Sequence, residues 1–196
     1  MKRICLLFAL LALCVVTNAQ TNYRQRQLTM DNGLLSNAVR TIVQDHRGFI
    51  WMGTDNGLCR YDGTRVVSYP LPETATSQAV VALVCDPDDN LLLGTADGVL
   101  RFTFANEQFT PLPIEELSAP VTHLSIDQSG NLWIATNGQG VLCLSLTDAE
   151  KPVSTYSLNA IDGKVAQVYT DANQRQWAIL HTGMPALWQQ IGRAHV

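Results

Sequence analysis

The sequence predicts an all-β fold, built from four copies of one antiparallel meander stacked into an incomplete β-propeller. Three observations predict it. First, Asp45, Asp86, Asp127 and Asp171 recur at steps of 41, 41 and 44 residues. Val39, Val80, Val121 and Val165 keep those steps, as do Ile42, Leu83, Leu124 and Val168. A period near ~40 residues marks units that cannot bury their apolar faces alone. Second, turn signals are dense and no long apolar pattern of helical period exists, which excludes helical repeats. Third, the second strand of each copy is a continuous apolar run, such as Leu91-Leu92-Leu93 or Leu132-Trp133-Ile134-Ala135. A sheet with one wet face alternates polar and apolar residues. These runs need cover on both sides, and radial stacking of small sheets provides it while protecting most sheet edges. A linear β-solenoid, the rival, has shorter repeats.

The first copy shows the elements in order. Ala38 to Asp45 is rich in β-branched residues and reads as a strand. Asp45-His46-Arg47-Gly48 is a turn, because Asp bonds its own downstream backbone and Gly tolerates positive φ. Phe49 to Thr54 is the second strand. Thr54-Asp55-Asn56-Gly57 turns again, its Asn-Gly pair suited to a tight hairpin. Leu58 to Tyr61 is the third strand, Asp62-Gly63 the next turn, and Val66 to Tyr69 the fourth strand. The predicted blades span approximately 38–69, 79–110, 120–156 and 164–190, within a partial propeller at 20–190.

These residues resemble a known family. Gly33-Leu34-Leu35-Ser36-Asn37-Ala38-Val39 leads into Ile42, Asp45 and Gly48-Phe49-Ile50-Trp51-Met52-Gly53-Thr54. Gly57-Leu58 and Arg60-Tyr61-Asp62-Gly63 complete the pattern. This is similar to the two-component regulator propeller repeat, which builds the periplasmic sensor region of hybrid two-component histidine kinases of Bacteroidetes type. The second and third copies keep the Asp, the apolar run, the Thr and the following Gly (Gly98, Gly140), the third with one extra residue before that Gly. The fourth keeps Asp171 and Trp177 but has Gln174 at the turn-glycine position and Leu180 at the Thr position. WD40 repeats fit less well, since neither a Gly-His nor a Trp-Asp pair occurs. The resemblance implies a parent that binds a carbohydrate outside the membrane and changes the geometry of a homodimer. A cytoplasmic kinase then passes a phosphoryl group to a response regulator.

The two ends differ from the repeats. Met1-Lys2-Arg3, the 13 apolar residues Ile4 to Val16, and Thr17-Asn18-Ala19 form a secretory signal peptide at 1–19, too short for a membrane span. Export follows, and the resemblance implies a periplasmic location with the parent anchored in the inner membrane. Residues 191–196, Ile-Gly-Arg-Ala-His-Val, break the repeat and look like a translated sequencing adapter. The chain therefore reads as an N-terminal fragment of a longer protein. The bare face after its fourth blade predicts poor solubility or dimerisation of the fragment.

Charge narrows the partners. Thirteen basic residues fall to ten once Lys2, Arg3 and Arg193 are set aside, against seventeen acidic ones. A mildly acidic surface with no Lys/Arg cluster does not attract nucleic acid or anionic membrane. A neutral sugar is compatible. Cys5 and Cys14 leave with the signal, and the odd remainder Cys59, Cys85 and Cys143 forbids complete pairing. They read as buried, unpaired thiols serving as small hydrophobes.

The motif search yields no catalytic residue, no metal site, no cofactor and no assignable ligand residue. Asp86-Pro87-Asp88-Asp89-Asn90 begins like a calcium loop but has Leu91 where Gly is needed and Asp97 at the twelfth place; it reads as a turn. Gly138-Gln139-Gly140 precedes a strand, not a helix, and reads as an enlarged hairpin turn rather than a phosphate loop. His46, His123 and His181 lack metal-ligand spacing. His123 could face the central channel but reads better as a satisfied strand histidine. Trp51, Trp133 and Trp177 share a repeat position that Leu92 takes in the second copy. That is core behaviour, with each indole N–H seeking a local acceptor. Arg60 and Arg101 read as partners of turn carboxylates. Glu115 and Glu116 follow Pro111 to Pro113 and read as a connecting loop. The fragment is expected to sense, not to catalyse. The alternatives are a stand-alone periplasmic binding module and, third, a propeller lyase or glycosidase.

Overall fold

The computed structural model describes residues 25–147, 154–156, 163–183 and 185–188. The proposed signal peptide at 1–19 and the terminal segment 191–196 lie outside the described residues. A short 3-10 turn, Met30–Asn32, precedes fifteen strands. The first sheet comprises β1 (Val39–Gln44), β2 (Ile50–Thr54), β3 (Gly57–Tyr61) and β4 (Val66–Tyr69). The second comprises β5 (Ala82–Cys85), β6 (Leu91–Thr95), β7 (Gly98–Thr103) and β8 (Gln108–Pro111). The third comprises β9 (Val121–Ile126), β10 (Asn131–Thr136), β11 (Val141–Ser145) and β12 (Ser154–Tyr156). The fourth has three strands among the described residues: β13 (Val165–Thr170), β14 (Gln176–Leu180) and β15 (Pro185–Trp188). Each sheet is an antiparallel meander in chain order.

The first turn of every copy is built the same way. The N–H three residues after the Asp bonds the Asp carbonyl at Gly48, Asp89, Gly130 and Gln174. All four take left-handed φ: 87°, 63°, 76° and 61°. Glycine adopts this conformation without steric cost, whereas Asp89 and Gln174 bear strain there. The second turn is locked by a threonine in the first three sheets. Buried Thr54, Thr95 and Thr136 donate their hydroxyls to the carbonyls of Gly57, Gly98 and Gly140.

The sheets pack face to face in succession. β5 packs on β1 and β2, β9 on β5 and β6, and β13 on β9 and β10. Apolar clusters fill the three interfaces. Trp51, Leu58 and Tyr69 meet Leu83, Leu91, Leu93 and Phe102 between sheets one and two. Leu92 and Val99 meet Leu124, Ile134 and Leu142 between sheets two and three. Trp133, Ala135 and Val141 meet Val168, Ala178 and Leu180 between sheets three and four. The continuous apolar runs of β6 and β10 are thus covered on both sides.

This arrangement sorts every inner-strand residue by face. Leu83, Leu124 and Val168 point back at the preceding sheet and are buried. Their equivalent Ile42 has no preceding sheet and is 64% exposed. Its neighbours further out fare better. Leu28, Leu34 and Leu35 fold over Met52 and Cys59, so the segment before β1 covers the outer part of this face. At the other end Tyr169 and Ile179 of sheet four are 60% and 38% exposed. The four sheets form an open succession, as in an incomplete propeller.

Candidate functional site

The repeated aspartate is the most elaborate polar site in each sheet. Asp45 Oδ1 accepts the backbone N–H groups of Arg47 and Phe49, and its Oδ2 accepts the Trp51 indole N–H at 2.8 Å. Asp127 repeats this with Ser129, Asn131 and Trp133. Asp171 does so with Asn173, Arg175 and Trp177. The local acceptor sought by each tryptophan is therefore the aspartate six residues upstream. Burial works to raise the Asp127 carboxyl. The Trp133 and Asn131 side chains and two backbone N–H groups outweigh it, and the carboxyl ends below its usual range. At Asp171 the Trp177 indole leads the donors that hold the carboxyl low.

Sheet two solves the same problem differently. Leu92 offers no N–H, and Asp86 is almost fully buried. Asn90 Nδ2 reaches both carboxylate oxygens, at 3.3 and 3.1 Å. Arg101, paired across the sheet with Leu92, brings its Nε to 3.6 Å from Oδ2. Arg60 occupies the equivalent place opposite Trp51. Its turn-carboxylate partner is Glu107 of the next sheet, at 3.9 Å, and its guanidinium lies 4.9 to 5.8 Å from the ring centroids of Phe49, Phe104, Trp51 and Tyr69. Tyr69 donates to Glu107 at 2.8 Å, and burial first, then this bond, pushes its phenol up to about 12. These groups hold the turns and the sheets together.

The remaining sequence candidates fall into structural places too. Asp86 to Asn90 is a turn. Among the described residues no group of three His, Cys, Asp or Glu could hold a metal ion. Gly138 and Gly140 aim their N–H groups at one oxygen, the carbonyl of Gly163, at 2.9 and 2.8 Å. That enlarged turn clamps the approach to sheet four. His123 does not face a channel. It lies on the face of β9 that meets sheet four, where burial, opposed by a bond to the Val168 backbone, lowers its pKa. Its Nδ1 has no hydrogen-bond partner, so it is only half satisfied. His46 pairs with Asp89 of the next sheet at 2.5 Å. Cys59 and Cys85 carry free thiols, raised by burial, Cys85 to about 11. Cys143 is half-buried against the third interface cluster. Glu115 and Glu116 are exposed in the loop between sheets two and three.

Among the described residues, clefts lie at opposite ends of the strands. One, about 360 Å³, lies where the aspartate turns emerge and is lined by Arg47, Asp88, Asp89, Asn90, Thr103 and Phe104. Arg47 stacks on Phe104 at 3.8 Å and closes part of it. The other, about 390 Å³, lies among the loops that join the sheets. Pro72, Thr74, Asp97, Phe109, Leu112 and Leu117 line it. It is the better candidate ligand cleft: largely apolar walls, one aromatic ring and one carboxylate. Thr76 bonds Asp97 through both its backbone N–H and its hydroxyl, and the hydroxyl leads the groups that hold this carboxyl low. Sequence reasoning met Asp97 and the Pro111 to Pro113 stretch but assigned neither to a site. The cleft joins the hairpin turn at 95–100 to the linker residues 72–76 and to 109–117, and only packing brings the three together.

The family described as two component regulator propeller matches residues 33–56 and 116–138. These segments hold the inner two strands of sheets one and three. No curated protein matches the chain. Among solved structures, an extracellular domain described as part of a one component system from B. thetaiotaomicron aligns at TM-score 0.70 and 20% identity. The alignment covers 86% of this chain and 23% of that one. An extracellular domain of a hybrid two component system from the same organism aligns at TM-score 0.51 and 21% identity, covering 85% and 30%. A virginiamycin B lyase from Staphylococcus aureus aligns at TM-score 0.62 and 12% identity, covering 80% and 57%. The chain thus spans about a quarter of the length of the first of these. At such identities the likeness shows the fold alone, and extracellular domains of such systems and a lyase share it.

Proposed function

We propose that this chain forms the opening part of the ligand-sensing propeller of a hybrid two-component regulator. It is exported by residues 1–19 to the periplasm, where the parent protein is anchored in the inner membrane. The observation that carries this reading is the pair of two component regulator propeller segments at 33–56 and 116–138, lying on the strands that build sheets one and three. The ligand is an oligosaccharide, a class compatible with a mildly acidic surface and a cleft that combines apolar walls with an acceptor carboxylate. The fragment performs no chemistry. Its ligand alters the geometry of a homodimer of the parent, and a cytoplasmic kinase and response regulator read that change.

The test has two arms. Calorimetry of the parent's whole extracellular region against a panel of oligosaccharides should yield one class that binds. That class should change autophosphorylation of the full-length protein in membrane vesicles. Binding by none overturns the carbohydrate assignment. A downstream sequence lacking a membrane span and a kinase overturns the signalling assignment and leaves the alternative, a stand-alone binding module.

A further inference from the structure

One repeat position faces the next sheet at the closest approach of the backbones. Its occupants are Gly53, Gly94, Ala135 and Ile179. In the first three sheets the residue is small for a visible reason. A Cβ on Gly53 would stand 2.6 Å from Thr41 Cγ2 in its own sheet and 2.8 Å from Val80 Cγ1 of the next, and one on Gly94 would stand 2.6 Å from Val121 Cγ1. Val80, Val121 and Val165 hold one repeat position at the entry to each following sheet, just before β5 and at the start of β9 and β13, and all three are essentially inaccessible. Ala135 and Val165 share one fully buried cluster. Each interface is therefore a valine seated on a residue with little or no side chain.

Sheet four reverses this. Ile179 holds the small-residue position, points away from sheet three, and stands exposed, as does Tyr169 of the same sheet. Ala178 and Leu180, its neighbours, are buried against sheet three, which fixes the direction. A following sheet that began with valine would collide with the Ile179 side chain. We infer that the outward face of sheet four accepts a β-sheet of this repeat whose residue opposite Ile179 is glycine or alanine. The knob and the hole exchange sides at this one interface. The face continues the series of three interfaces already formed, and the same reasoning makes a second copy of this chain a poor occupant. Its first sheet would present Val39, and its outer surface is already covered by Leu34 and Leu35. Position 179 thus sets which sheet can come next.

The experiment uses the full chain carrying a second copy of residues 72–111 joined to its C-terminus by a flexible linker. Three versions are compared by limited proteolysis of the added sheet. With Ile179 and Val80 in the added copy, the sheet should be cleaved rapidly. With I179G, or with Ile179 retained and Val80→Gly in the added copy, cleavage should slow by about tenfold, as expected for relief of an overpacked contact. Equal cleavage in all three versions, whether fast or slow, overturns the inference. So does protection only in the version that keeps both large residues.

Discussion

Sheets two and three place the same aspartate in the same turn, buried in sheet two and half-buried in sheet three, and they satisfy it with different chemistry. Asp127 in sheet three has the Trp133 indole and the Asn131 amide. Asp86 in sheet two has Asn90 and a cation, Arg101, that reaches over the leucine standing where the tryptophan would be. A buried carboxylate without donors is costly, so losing the indole requires a substitute. The substitute comes from the neighbouring strand because that residue already faces the same side. The comparison teaches that the aspartate is the invariant of the turn's architecture and its partner is exchangeable. It also explains why Arg60, at the same place in sheet one, turns to the aromatic rings and to Glu107 of the next sheet: Trp51 already serves Asp45.

Removing the aspartate should break both sheets most severely. D127A leaves two backbone N–H groups, an indole and an amide without their acceptor, and D86A also strands the Arg101 guanidinium. Each should cost about 3 kcal/mol, measured by urea denaturation. The next effect distinguishes the two designs. R101M should cost about 2 kcal/mol, because it removes the cation beside a nearly inaccessible carboxylate. R60M should cost about 1 kcal/mol, the scale of a cation–π contact. Equal losses would collapse the distinction between the sheets.

Acid should separate wild type from D127N. The Asp127 carboxyl titrates below its usual value in the folded protein, so the stability it contributes is present above the unfolded value near ~3.9. That stability is lost as pH falls through the depressed folded value. D127N should be less stable at neutral pH, and its deficit should shrink as pH falls below about 4, read as melting temperature against pH. The smallest effect belongs to the strained turns. Q174G should stabilise sheet four by about 0.5–1 kcal/mol, because glycine accepts the φ of 61° freely. Gly130→Ala at the matching turn of sheet three should lower the melting temperature.

Much of this was legible in the chain. The period, the turns and the uninterrupted apolar runs imply stacked meanders, because strand and turn preferences are local and repeat with the residues. The tryptophans declare themselves core through the Leu92 substitution. Their acceptor, always six residues upstream, was available to the eye but not singled out. The role of Arg101 was half legible: a turn carboxylate was expected, but not that it replaces an indole. The candidate cleft was not legible as a cleft. Its walls come from a hairpin turn and from segments joining the sheets, whose composition says nothing about their meeting. His123 shows the same limit, since a strand histidine's direction depends on which sheet covers it.

The amino-acid order by itself determined the strands, the turns and the number of copies, since these follow from contacts within a few residues and from a pattern that recurs. Only the tertiary structure decided which face meets which. That choice exposes Ile42 and Tyr169, folds Leu34 and Leu35 over the first sheet, and turns the small-to-large change at Ile179 into a statement about what can dock there. The reason is that inter-sheet packing joins residues about forty positions apart, at distances where one methyl group decides the fit.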